Sequence, residues 1–156
     1  MSSFKDQPFA NRFAAMGDEA EGAFESWADA HGIKYVRYGL NRPPISLTKV
    51  SAFVRFTPDY LLGDKLVEVQ GFGRDQKFKI KWEKLGSLHA WSLHHPVHLW
   101  AWDSSNKRCF MAPIVDIAME ANAGAFAQGV FDANTSNPKP YWEIPADWFV
   151  ENGHAA

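Results

Sequence analysis

Asp59 and Glu68 stand on either side of a Gly-Asp pair in the stretch TPDYLLGDKLVEVQ, residues 57–70. Gly63-Asp64 suits a two-residue turn that needs positive φ, so the stretch reads as a β-hairpin in which Leu62 faces Lys65. Counting outward along both strands then puts Asp59 directly opposite Glu68, with Cβ atoms about 4.5 to 5.5 Å apart. Side chains alternate along a strand, so Leu66, Glu68 and Gln70 share one face while Val67 and Val69 take the other. Like charges placed opposite one another destabilise a sheet, and a hard divalent cation held by both carboxylates reverses that sign. The spacing therefore predicts a magnesium site. The alternative is a solvent-facing sheet surface carrying two hydrated carboxylates.

The elements that must position this pair follow from periodicity. MGDEAEGAFESWADAHG is helical by pattern, with Ala20, Phe24, Trp27 and Ala28 at three-and-four spacing and Gly32 where a C-terminal cap belongs. IKYVRYGL reads as a strand and NRPPISLT as a loop, because consecutive prolines break both helix and central strand. SAFVRFTPDYLL and KLVEVQ make the hairpin. GFGR connects it to a second helix expected to begin near Asp75, its N-cap. PVHLWAWD and RCFMAPI form another hairpin around SSNK, VDIAMEANAGAFAQGV is weakly helical, and TSNPKPYWEIPADWF is a proline-rich aromatic tail, expected to strap an apolar surface or a subunit interface. The order gives an α/β class with a mixed central sheet flanked by helices, in one domain spanning 1–156. Its core is expected over 17–118, with a C-terminal helix and tail over 119–156.

The Pro-Asp followed across a hairpin by Glu-Val-Gln resembles the core motif of the PD-(D/E)xK nuclease superfamily. EAEGAFESWADAHGIKYVRYG is similar to the opening of archaeal-type Holliday-junction resolvases, in which a glutamate precedes the glycine that leads into the first strand. Counting back from Gly32 puts Glu21 at that place. Its competing role is a capping box with Asp18, and Glu25, one turn on, is the fallback. The resemblance implies a restriction-endonuclease-like core, magnesium (with manganese substituting) held by Asp59, Glu68 and the Val69 carbonyl, hydrolysis of DNA phosphodiesters to a 5′ phosphate, branched or junction DNA as substrate, and a homodimer. The nearest competitors are a repair-type exonuclease or flap nuclease and a catalytically inactive DNA-binding module.

The family's third motif position is usually lysine, and this chain has Gln70. On a helix, DQKFKIKWEKLGSLHAW places Lys77, Lys81 and Lys84 between two apolar stripes, so the missing charge is expected from there, first from Lys81 and then from Lys77. Ordinary snorkelling of the stems over apolar surface is the alternative. Arg55, Arg74, Lys77 and Lys84 are the expected DNA contacts.

The rest of the chain narrows the class. At 156 residues and a net charge of −2, it is no generally basic nucleic-acid binder, so any such contact must come from a local patch. A single cysteine, Cys109, excludes an internal disulfide and a cysteine-based zinc site, which fits a reducing cytoplasm. No run approaches a membrane span. His89, His94, His95 and His98 invite a zinc reading, but Pro96 breaks the spacing that would converge His94 and His98, so they are expected at the surface. The seven tryptophans are expected mainly in the core.

Overall fold

A computed structural model describes residues 9–40 and 49–156; the expected loop at 41–48 lies outside the described residues. Helix α1 (Phe9–Ala30) leads into strand β1 (Tyr35–Arg37), short helix α2 (Ala52–Arg55), β2 (Tyr60–Leu62) and β3 (Leu66–Gly71). Then follow β4 (Lys77–Lys81), α3 (Trp82–Ser92), β5 (Val97–Asp103), β6 (Arg108–Pro113) and α4 (Ile114–Asn122). Strands β7 (Ala127–Phe131) and β8 (Lys139–Pro145) and helix α5 (Ala146–Glu151) complete the chain.

Two sheets form. The larger has five strands in the order β1-β2-β3-β5-β6, and β3 and β5 are its one parallel pair. The smaller is antiparallel, with β8 between β4 and β7. Ala20, Phe24 and Ala28 recur every fourth residue on α1 and are fully buried with Val67, Val69 and Trp100 on one face of the large sheet. On the opposite face Leu66, Leu99 and Ala101 pack with Leu85 and Leu88 of α3, Ile114 and Ile117 of α4, and Phe78, Ile80 and Ile144 of the small sheet. The central strands β3 and β5 are thus covered on both sides, which makes Glu68 a buried acid, 4% exposed.

The two-residue hairpin register is present, although neither Gly63 nor Asp64 takes the positive φ expected of its turn. Tyr60 pairs with Val67 and Leu61 with Leu66, the Leu62 N–H donates to the Lys65 carbonyl at 2.9 Å, and Asp59 lies in the bend just before the paired strand. Gly32 ends the α1 region at φ 66°, the left-handed conformation of a helix terminus.

Four expected elements differ. Residues 77–81 are a strand, not the start of a helix, because Phe78 and Ile80 are buried while the three lysines between and around them are not: a period of two. Asp75 accordingly is no helix N-cap. It accepts the Lys77 N–H at 3.3 Å in the turn before β4 and pairs with Lys79 at 2.8 Å. Residues 52–55 are helical where a strand was expected; the apolar run there does not alternate, and Pro58 holds Thr57 away from further helix. Gly124, at φ 78°, stops α4, and the residues expected to continue it become β7. The tail expected as a strap supplies the central strand of the small sheet, its prolines 140 and 145 lying at the ends of β8. No helix among the described residues is long and apolar enough to cross a membrane.

Candidate active site

Three elements meet around Asp59 and Glu68. The loop before β2 supplies Asp59, whose Oδ2 accepts the Val69 N–H at 2.9 Å. Strand β3 supplies Glu68, Val69 and Gln70. Helix α3 supplies Lys84, whose ammonium forms an ion pair with Glu68 Oε1 and donates to Gln70 Oε1 at 3.2 Å. Gln70 is itself fixed, its Nε2 donating to the Lys79 carbonyl at 2.7 Å. The Gln70 amide thus bridges β4 and α3, accepting from Lys84 and donating to the Lys79 carbonyl.

The lysine whose ammonium meets Glu68 is Lys84; Lys81 and Lys77, expected there first, make other contacts. Once 77–81 is a strand, helical stacking no longer carries those two towards the acids. Lys77 extends to Glu143 at 3.2 Å, on the surface. Lys81, at the N-cap of α3, lines a cleft there. Lys84 sits in the first turn of α3 and reaches into the buried face.

Glu21 lies in the interior of α1, which begins at Phe9, so the capping-box role is lost. It binds Arg37 of β1, with Arg37 Nη1 2.9 Å from Oε2 and Nη2 3.2 Å from Oε1. Arg37 Nη2 also stands 3.6 Å from Asp59 Oδ1 and so joins Glu21 to the paired acids. Glu25 accepts the Tyr60 hydroxyl at 2.7 Å, one step further out. Arg37 and Tyr60 were not expected from the sequence; the signal for Arg37 was a cation between apolar residues on an edge strand.

Gly39 was also missed. A Cβ there would lie 2.6 Å from the Pro58 carbonyl oxygen, 2.9 Å from that of Thr57 and 3.2 Å from the Asp59 Cα. The Tyr38 and Gly39 N–H groups both donate to the Asp59 carbonyl, at 2.8 and 3.2 Å. The bare backbone of residue 39 is what lets the Pro-Asp loop close onto β1.

The electrostatics are asymmetric. Burial, and then the neighbouring Asp59 charge, push the Glu68 carboxyl up to about 8 against the pull of Lys84. Burial also raises Asp59, outweighing Lys84, the Val69 N–H and Arg37. Burial alone would lower Lys84, but Glu68 and Asp59 together hold its ammonium above the usual lysine value. One ammonium thus serves two acids, and each acid feels the other.

The donor set fits a hard divalent cation. Asp59 and Glu68 offer only oxygens, the donor type a hard cation takes, and burial is the main cause that raises both carboxyls. Among the described residues no three of His, Cys, Asp and Glu converge as a ready metal cage.

Of the expected DNA contacts, Arg55 pairs with Glu83 at 2.6 Å beside the cleft, and Arg74 lies exposed in the turn before β4. His89, His94 and His95 are exposed, and His98 lies half-buried on β5. Cys109 is a free, half-buried thiol on β6.

No family model and no curated protein matches the chain. Among solved structures, D212, a nuclease from a fusselovirus, superposes with a TM-score of 0.53 over 92% of this chain and 87% of its own, at 9% sequence identity. The likeness is one of fold, and it agrees with a restriction-endonuclease-like α/β architecture.

Proposed function

We propose that the chain is a magnesium-dependent deoxyribonuclease of the PD-(D/E)xK type, acting on branched DNA in the manner of a Holliday-junction resolvase. The observation that supports it best is the convergence of Asp59, Glu68 and Lys84 from a loop, a strand and a helix. The fold likeness to a viral nuclease is in keeping with it.

Asp59, Glu68 and the Val69 carbonyl would hold the cation. When bound, it supplies Lewis acidity towards the phosphoryl oxygen and lowers the pKa of a water. The Val69 N–H and Arg37 fix the Asp59 carboxylate so that its ligand oxygen does not wander. Lys84, paired with Glu68, would place its ammonium against negative charge developing on the phosphate. Gln70 keeps the Lys84 stem aimed at the site, and Glu21 holds Arg37 from behind. A homodimer follows from the symmetric cutting that junction resolution requires.

The test is cleavage of a labelled four-way junction beside linear duplex, flap and single strand, with magnesium, with manganese and with chelator. Metal-dependent cutting of the junction, abolished in Asp59→Ala, is the expected result. Preference for flaps or ends would move the protein to the repair nucleases, and binding with no cleavage of any substrate would make it a DNA-binding module.

A further inference from the structure

At the start of α3, the helix that carries Lys84, lies a cleft of about 440 Å³, lined by Arg55, Lys81, Trp82, Glu83, Lys139 and the 137–140 segment. That volume falls within the roughly 300–1,000 Å³ of small-ligand sites. Three of its walls are cationic. Arg55 is neutralised by Glu83, and Lys139 lies 3.8 Å from Asp132, at the edge of ion pairing. Lys81 has no ion pair among those found in the described residues, though it is half-buried, and burial and then Lys139, Lys84 and Arg55 destabilise its charge. An anion in the cleft would relieve that repulsion.

The cleft also holds an aromatic surface. Trp82 rests on Trp142, with ring centroids 5.2 Å apart and planes at 24°, yet remains 43% exposed. A large indole supported from behind and left open beside lysines is costly in water, and it matches a flat ring attached to a phosphate. The Asn137 amide adds a donor and an acceptor at the rim.

The cleft and the acid site share one element. Lys81 is the N-cap of α3 and Lys84 lies in its first turn, so a strand crossing that turn meets both. We infer that the cleft seats an unpaired nucleotide of the DNA strand being cut, with its base stacked on Trp82, its phosphates held by Lys81 and Lys139, and the adjoining backbone running to Asp59, Glu68 and Lys84. This rests on the nuclease reading and adds a substrate feature to it: the preferred DNA carries an unstacked base next to the scissile phosphate, as at a junction, bulge or flap.

The experiment uses the full chain in chelator, so that binding is read without cleavage. Affinity is measured by anisotropy for a short oligothymidine, for an abasic oligomer of equal length, and for thymidine monophosphate. The oligothymidine is expected to bind roughly tenfold more tightly than the abasic strand, and Trp82→Ala to erase that ratio while leaving abasic binding in place. Trp82→Phe keeps a ring and is expected to keep most of the ratio. Lys139→Gln is expected to weaken both strands and lower the salt slope by about 0.7, the value for one cation on a single strand. This arm decides the matter should Trp82→Ala fail to fold. Equal affinity for abasic and base-bearing strands, a ratio untouched in a folded Trp82→Ala, or an unchanged salt slope in Lys139→Gln would each overturn the proposal. Monophosphate binding as tight as the oligomer would replace the strand by a free nucleotide and overturn it as well. A protein that cuts no DNA with magnesium, yet binds oligothymidine through Trp82, removes the nuclease reading and leaves the cleft assignment standing. One that cuts, with the ratio unchanged in Trp82→Ala, removes the cleft alone.

Discussion

Glu68→Gln is the most informative single change, because it removes a charge without changing shape. A carboxyl held at about 8 rather than at 4.5 has its ionised form disfavoured by about 5 kcal/mol, at about 1.4 kcal/mol per pH unit. The folded-state value is the higher one, so the folded chain binds the extra proton. The wild type is therefore favoured below pH 4.5, loses stability as pH rises, and levels off above 8. Glutamine cannot ionise, so the variant lacks this loss. Part of the gain is returned because Lys84 then has only Asp59 as a buried counter-charge, leaving a net advantage of a few kcal/mol at pH 8. For a chain of this size 1 kcal/mol moves Tm by roughly 2–4 °C, so the effect is well above measurement error. The assay is thermal unfolding of both proteins in chelator from pH 5 to 9. Their Tm difference should open with rising pH in favour of the variant, and titrating groups distant from Glu68, beyond Asp59 and Lys84, cancel in that difference. A difference that stays flat across the range, or a variant less stable at every pH, would refute the account of Glu68 as a buried, frustrated acid.

Magnesium at about a hundred times its Kd should stabilise the wild type at pH 8 by about 2.7 kcal/mol and leave Glu68→Gln largely unmoved, read by the same unfolding scans. Lys84→Ala should lower single-turnover cleavage by a hundredfold or more at nearly unchanged DNA affinity, whereas Lys81→Ala should chiefly weaken affinity and its salt dependence; the reverse pattern would restore Lys81 to the catalytic place. Gly39→Ala should depress cleavage while the protein stays folded, since its Cβ pushes the Pro58 and Thr57 carbonyls and with them Asp59; circular dichroism and turnover measured together decide it. Phe78→Ala should cost about 3–5 kcal/mol in denaturant unfolding, as a fully buried ring of a core strand and not of an exposed helix face.

How far the sequence could be read depended on how local each signal was. The Gly-Asp turn sets the register of its own hairpin, and so the position of Asp59 against Glu68 was legible from residues within one loop. The α1 stripe was legible for the same reason. KFKIK was not, because apolar residues at alternate positions and lysines between them fit a strand, while the following WEKL fits a helix, and one window averaged the two. What decides in favour of the strand is a partner far along the chain, β8, whose prolines made it read as a tail. With the helix begun seven residues early, at Asp75 instead of Trp82, helical stacking favoured Lys81, whereas the ammonium found against Glu68 belongs to Lys84. The Arg37–Asp59 contact and the close approach at Gly39 arise between elements and leave no mark in composition.

The pairing of β4 with β8 also orders events in time. Strand β4 has a single neighbour in its sheet, and that neighbour is made some sixty residues later. At about 5–20 residues per second, β4 waits several seconds during synthesis with Phe78 and Ile80 lacking their partners. Closing so long a loop is slow compared with forming the hairpin that carries the acids. Helix α3 starts at the residue after β4, so the strand that β8 completes leads directly into the helix that carries Lys84. The acids thus sit on a hairpin closed within one loop, while the lysine beside them hangs on a sheet closed across some sixty residues.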